Sequence, residues 1–189
     1  MFIIIFSKDF FDFVEIATTG NASDFGDLVS ADRKGMSTSS STRGVYGGGL
    51  SATLTQFLTI ASQGNMTQYG DLSSTRIEPA TGSNSVRAVF AGGQVPGVSN
   101  IMEQFEIPTG GNVTDFGDLS VARYSTAGNT SSHGGLNDGY QGTRIAPIPR
   151  GLGVGQRALQ AGGFAGGQTT IEQFNMVTTG NASQFGNLA

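Results

Sequence analysis

The sequence predicts an all-β chain, a single domain of about four small antiparallel sheets that shield one another's apolar faces. Three observations carry that expectation. The first is an octapeptide that recurs: "NASDFGDL" from Asn21, "NMTQYGDL" from Asn65, "NVTDFGDL" from Asn112 and "NASQFGNL" from Asn181. Internal self-similarity of this kind marks a repeat architecture. The second is composition. Glycine supplies 30 of 189 residues, Ser and Thr are abundant, charged residues make up 13%, and Trp and Cys are absent. That mixture suits short strands joined by many turns. The third is a set of stretches alternating polar and apolar side chains: "DFVEI" at Asp12, "QFLTI" at Gln56, "QFEI" at Gln104 and "QFNMV" at Gln173. Period two is the pattern of a half-buried strand.

Taken along the chain, "MFIIIFSKDFFDFVEI" reads as a pair of buried strands, with a truncated targeting signal as the alternative. It lacks a basic leading region, Lys8, Asp9 and Asp12 interrupt it, and its apolar run is too short to span a bilayer. The "TTG", "SQG" or "TGG" before each repeated Asn is turn chemistry suited to a tight hairpin. Phe25, Tyr69, Phe116 and Phe185 then place one aromatic at the same point of each repeat. These four are expected to be the packing pegs, each contributing about 1.5–3 kcal/mol when buried. Gly-Asp or Gly-Asn ends that strand, an Arg follows closely (Arg33, Arg76, Arg123), and "SVARYSTAG" reads as the start of another strand. "RGVYGGG" at Arg43, "RAVFAGG" at Arg87 and "RALQAGG" at Arg157 are small-residue strands closed by glycines, which permit close backbone approach or positive φ.

The unit is three or four short strands. Asn21, Asn65 and Asn112 are spaced by 44 and 47 residues. One such sheet is marginal alone, and stacking covers its apolar face. The period fits the blade of a β-propeller, complete or partial. Approximate repeats are 1–40, 41–84, 85–148 and 149–189, the third carrying an insertion at about 125–156. Leu28 to Arg43 and Leu72 to Arg87 are 15 residues each, whereas Leu119 to Arg157 is 38, which leaves 23 extra. Long loops are often functional. This one holds the single histidine, His133, with Asp138, Tyr140, Arg144 and Arg150. Tyr and Arg suit a glycan or protein contact, since both stack and donate hydrogen bonds; a hairpin without a ligand is the other reading. No strand like "SVARYSTAG" follows Leu188 or precedes "FIIIF", so one sheet is expected to be a strand short. A closed four-bladed ring, a piece of a larger propeller, and a protomer meeting a neighbour edge to edge all accommodate that.

Several chemistries are set aside. A net charge of −4 and ten scattered Lys and Arg argue against a nucleic-acid partner. One His and no Cys leave most metal sites without ligands. A Ser-His-Asp arrangement would need His133, which has no nucleophile elbow near it. "GLGVGQ" at Gly151 precedes a strand rather than a helix and reads as turn, not a dinucleotide fingerprint. Asp27, Asp71 and Asp118 would form a calcium ring only if they met at an axis; Asn187 breaks the set, and Asp after Gly is ordinary turn chemistry. Sequons at Asn21, Asn65, Asn112, Asn129 and Asn181 matter only in a secretory pathway. The expectation is a non-enzymatic chain with no cofactor and no membrane insertion.

The Gly pair closing a strand, the aromatic in the next strand, the later aromatic and the Arg after it stand in the order of a Kelch repeat, which the chain resembles. It departs in having Phe or Tyr where Kelch repeats usually carry Trp, and in the longer spacing from Phe105 to Phe116. "IATTGNASDFGDL" and "TRGVYGGG" are more closely similar to strings in Kelch-like repeat proteins of marine tailed phages, those infecting cyanobacteria above all, over about residues 13–188. That resemblance implies a virion location and a structural or receptor-binding, tail-fibre-like role. Its implied partners are other virion proteins or a host surface glycan, while the missing strand leaves a homo-oligomer open. A cellular Kelch-type protein–protein interaction module is the alternative.

Overall fold

Short alternating segments cut by Gly-rich turns fold here into hairpins that stay local in sequence. The computed structural model describes residues 2–5, 9–15, 18–50, 52–94, 96–130, 157–164 and 167–189. Four sheets result, every strand pair antiparallel, and no helix occurs among the described residues. The first sheet has three strands: β1 (Phe2–Ile5), β2 (Phe10–Val14) and β3 (Ser23–Asp27). The second runs β4 (Met36–Ser39), β5 (Arg43–Gly47), β6 (Leu54–Thr59) and β7 (Thr67–Asp71). The third runs β8 (Ala80–Ser83), β9 (Arg87–Ala91), β10 (Ile101–Glu106) and β11 (Thr114–Asp118). The fourth runs β12 (Ala127–Thr130), β13 (Arg157–Ala161), β14 (Thr170–Asn175) and β15 (Ser183–Asn187). Within each sheet the strands lie in chain order.

The sheets begin ahead of the Arg strands, so they cut across the repeats read from sequence. "SVARYSTAG" is mostly loop, and only Ala127 and Gly128 of it belong to β12. The extra residues of the third repeat accordingly fall at 131–156, between β12 and β13, where β4–β5 and β8–β9 are joined by three residues each.

The short leading strands β4, β8 and β12 lie against one another. They are made mostly of small residues, and their backbones nearly touch. A Cβ on Gly128 would sit 2.6 Å from the Thr81 carbonyl oxygen. Hydroxyls bridge the gap: Thr81 donates to the Ser37 carbonyl (3.0 Å), Ser83 to Ser39 (2.7 Å) and Thr130 to Ser83 (3.0 Å). The apolar core is divided among the gaps between sheets. Phe11, Phe25 and Leu28 meet Tyr46, Leu58 and Met66 between the first and second sheets. Val45 and Leu72 meet Phe90, Phe105 and Ile107 between the second and third. Val89, Met102, Phe116 and Leu119 meet Ala158, Phe174 and Met176 between the third and fourth.

Candidate functional site

The octapeptide supplies the last strand of each sheet, and its Asn, aromatic and Gly each have a task. The ladder between the last two strands slips at one equivalent point in all four sheets: Phe11/Asp12, Thr55/Gln56, Met102/Glu103 and Ile171/Glu172. The extra residue on the facing strand is Phe25, Tyr69, Phe116 or Phe185. A bulge re-aims the side chain it carries. Phe25 and Phe116 are thereby buried and Tyr69 half-buried; Phe25 and Tyr69 make edge or tilted contact with rings of their own sheet, and Tyr69 and Phe116 meet Phe105 and Phe174 of the next sheet edge-on. Phe185 departs from the expectation. It is 52% exposed and belongs to none of the apolar clusters of the described residues.

The Gly after each aromatic is where the next sheet's hairpin comes closest. A Cβ on Gly26, Gly70 or Gly117 would lie 2.4, 2.1 or 2.4 Å from the carbonyl oxygen of Gly64, Gly111 or Gly180. The hairpin docks through three hydrogen bonds that repeat at every joint. Gly64, Gly111 and Gly180 N–H donate to the carbonyls of Phe25, Tyr69 and Phe116 at 2.9, 2.9 and 2.7 Å. Met66, Val113 and Ala182 N–H donate to Asp27, Asp71 and Asp118 at 2.8, 3.0 and 2.8 Å. The intervening Asn65, Asn112 and Asn181 each accept the N–H of Asp27, Asp71 or Asp118 on Oδ1, all at 3.1 Å. The repeated Asn is thus an inter-sheet clasp, which sequence reasoning took for turn chemistry alone. Asp27, Asp71 and Asp118 stand on the outer edge strands, away from the strands that meet.

Deeper in each gap a second clasp forms. Glu103 and Glu172 accept the N–H of Ser73 (3.3 Å) and Ser120 (2.6 Å) and pair with Arg76 (3.2 Å) and Arg123 (2.8 Å), all nearly or wholly buried. Arg76 and Arg123 also donate to the carbonyls of Ile101 (3.0 Å) and Thr170 (2.9 Å). Burial pulls the Arg76 guanidinium below its ordinary pKa, and the Glu103 carboxylate opposes that pull. At the first joint the counterparts are Gln56, which accepts from Val29 N–H at 2.6 Å, and buried Asp32, which accepts from Leu50 and Arg33 N–H. Arg33 itself is exposed, so the Arg grouped with Arg76 and Arg123 from sequence does not share their place. Asp32 also acts on Tyr46, whose phenol oxygen accepts the Gly35 N–H at 3.2 Å; burial first and the Asp32 charge second push that phenol up to about 12. Arg43 reaches the next sheet's hairpin at the Ile107 and Pro108 carbonyls (both 2.8 Å), and Arg87 does the same at Met176 (3.1 Å) and Val177 (3.0 Å).

One exposed polar line remains. Lys34, Glu78 and Ser125 occupy equivalent loop positions and all have positive φ, 66°, 52° and 52°. Glu78 N–H donates to the Lys34 carbonyl (2.8 Å) and Ser125 N–H to the Glu78 carbonyl (3.0 Å). Lys34 pairs with Glu78 at 3.0 Å and the Ser125 hydroxyl donates to the same carboxylate. The hydroxyl first and the ammonium second hold the Glu78 carboxyl below the usual range. The line ties loop to loop and leaves the carboxylate fully partnered.

His133, Asp138, Tyr140, Arg144 and Arg150, the ligand-binding set expected from sequence, lie outside the described residues. So does "GLGVGQ" up to Gln156. Their segment joins Thr130 to Arg157, at the end of the fourth sheet where the three-residue connections 40–42 and 84–86 sit in the second and third. Among the described residues no group of three or more His, Cys, Asp or Glu is placed to hold a metal ion, and no helix is long and apolar enough to cross a membrane. The chain matches no protein-family model and no curated protein.

Proposed function

We propose that the chain is a non-enzymatic structural and binding module, a partial Kelch-like β-propeller that carries exposed loops on a virion and meets a host surface glycan or a neighbouring virion protein. The observation that carries this reading is where the recurring polar residues are spent. The Asn, Arg and Glu or Gln of successive repeats are engaged in joining one sheet to the next. A scaffold uses its repeated residues in this way, whereas a repeated catalytic or metal site would leave them facing a ligand. Variation is then concentrated in one connection, 26 residues at 131–156 against three in the equivalent connections of two other sheets. A rigid frame with one long variable loop is a common arrangement for recognition. The segment's Tyr140, Arg144 and Arg150 supply a ring and two guanidinium planes for stacking against a sugar face or a partner's carboxylates. The virion placement rests on the resemblance of "IATTGNASDFGDL" and "TRGVYGGG" to phage repeat proteins.

Glycan-array binding by the full chain, compared with a chain lacking Ser131 to Pro149, tests the reading. Binding that disappears on deletion while the thermal unfolding midpoint is retained supports it. Absence of glycan binding, with retention of one cellular protein through the same segment, replaces it with a cellular Kelch-type interaction module.

A further inference from the structure

The fourth sheet presents one half of an inter-sheet joint with nothing docked in it. Phe185 is exposed and so is Leu188, while their counterparts Phe25, Leu28, Leu72, Phe116 and Leu119 are buried. Gly186 faces open space where Gly26, Gly70 and Gly117 each meet a neighbouring glycine carbonyl. The first sheet presents the other half. Gly20, Asn21 and Ala22 stand where Gly64, Asn65 and Met66 stand in the second sheet, and Ala22 is exposed where Met66 is buried. The three apolar clusters join the first sheet to the second, the second to the third and the third to the fourth. None of the apolar clusters of the described residues joins the fourth sheet to the first.

The two halves match in detail. "TTGNAS" at Thr18–Ser23 is identical to "TTGNAS" at Thr178–Ser183. The second of these already docks on Phe116, Gly117 and Asp118 through Gly180, Asn181 and Ala182. Its receiving surface reads "DFGDL" at Asp115–Leu119, and the open surface reads "QFGNL" at Gln184–Leu188. The Asp-to-Asn difference between residues 118 and 187 leaves the joint intact, since residue 118 contributes its N–H and carbonyl. Asp12 holds the register position of Gln56, Glu103 and Glu172, which accept the N–H of Val29, Ser73 and Ser120; the corresponding donor beyond Leu188 is Ala189 N–H.

We propose that a second copy of this chain fills the joint. The Gly20–Asn21–Ala22 hairpin of one copy docks on Phe185–Gly186–Asn187–Leu188 of another. Asn21 Oδ1 accepts the Asn187 N–H, Gly20 N–H donates to the Phe185 carbonyl, and Ala22 N–H donates to the Asn187 carbonyl. Docking removes the Phe185 ring and Leu188 from water, the driving term for association. The contact is heterologous, so copies close into a ring or grow as an open array.

Sedimentation or light scattering of the full chain from low micromolar to millimolar concentration reads the mass directly. The wild type is expected to rise from 19.5 kDa to a multiple of it with concentration. Gly186→Leu, placed in open space, is expected to keep the unfolding midpoint of the dilute wild type and to stay at the single-chain mass. Asn21→Arg, which blocks the opposite half, should do the same. Mixing these two variants restores one intact joint and gives a 1:1 species of twice the mass that grows no further. A wild type that stays at the single-chain mass throughout overturns the proposal, as does a Gly186→Leu chain that associates like wild type. A monomeric wild type destabilised by Gly186→Leu would overturn it in favour of closure within one chain.

Discussion

Glu172→Gln isolates the buried ion pair from the rest of its joint. Glu172 makes two contacts, accepting Ser120 N–H on Oε1 and Arg123 on Oε2, and both it and Arg123 are 0% exposed. A glutamine retains the first contact, as Gln56 does with Val29 in the first joint. It removes the charge facing Arg123, whose Nη2 has no other hydrogen-bond partner among the described residues. Breaking a buried pair by removing one charge costs about 3–5 kcal/mol, because the survivor stays desolvated and unpaired. For a chain of this size that corresponds to roughly 6–20 °C in the unfolding midpoint. Urea unfolding followed by circular dichroism, with the slope checked against wild type, reads the cost. Arg123→Met alone should be comparably damaging. The double variant Glu172→Gln/Arg123→Met should recover at least half of the loss, since it leaves no unpaired buried charge in the gap. A Glu172→Gln chain within about 1 kcal/mol of wild type, the range of an exposed pair, would show that the charges do not face each other in a dry gap.

Other substitutions separate occupied joints from the open half. Phe116→Ala should cost about 3–5 kcal/mol by emptying a packed site, while Phe185→Ala, at an exposed ring, should stay within about 0.5 kcal/mol in dilute protein; equal shifts in thermal unfolding would contradict the assignment. Gly117→Ala should lower stability by about 1–3 kcal/mol through overpacking and positive φ, with Asp118→Ala far milder because Asp118 acts through its backbone. Removing the amide clasp with Asn112→Ala should cost about 0.5–1.5 kcal/mol, the worth of an ordinary hydrogen bond, measured against the same change at Asn21. Alkaline titration carries a signed expectation. The Tyr46 phenol has its folded pKa raised from the ordinary 10.0 to about 12, so its contribution is fully present below pH 10 and is lost as pH climbs toward 12. Tyr46→Phe should flatten that alkaline loss, and the ultraviolet titration difference between wild type and variant should show a phenol ionising near pH 12.

The repeat and the strand class were legible because they obey local rules: period-two alternation, Gly-Asn turns and a spacing near that of a four-stranded unit. The clasps were not, because they depend on register between sheets. Gln56, Glu103 and Glu172 are equivalents in space, yet matching the "QF" strings sets Gln56 beside Gln104 and Gln173. Phe57 precedes its Asn by eight residues, whereas Phe105 and Phe174 precede theirs by seven. That one-residue difference in hairpin length shifts the alignment, and a one-residue slip on a strand exchanges its faces. Arg33 misled in the same way: Asp32 stands four residues after Leu28, the offset at which Arg76 and Arg123 follow Leu72 and Leu119. Phe185 shows the limit of reading a repeat by analogy. Its sequence surroundings match those of Phe116, but burial is decided by what docks on the ring.

Amide hydrogen exchange resolved by residue tests most directly that the octapeptide is a joint between sheets. Gly64 and Met66, Gly111 and Val113, and Gly180 and Ala182 donate across sheets, while Asn65, Asn112 and Asn181 between them have no acceptor for their N–H among the described residues. The expected pattern is slow, fast, slow in each tripeptide, with the slow amides approaching the protection of the strands. Uniformly fast exchange through all three tripeptides would contradict it and leave the recurring octapeptide as nothing more than a turn.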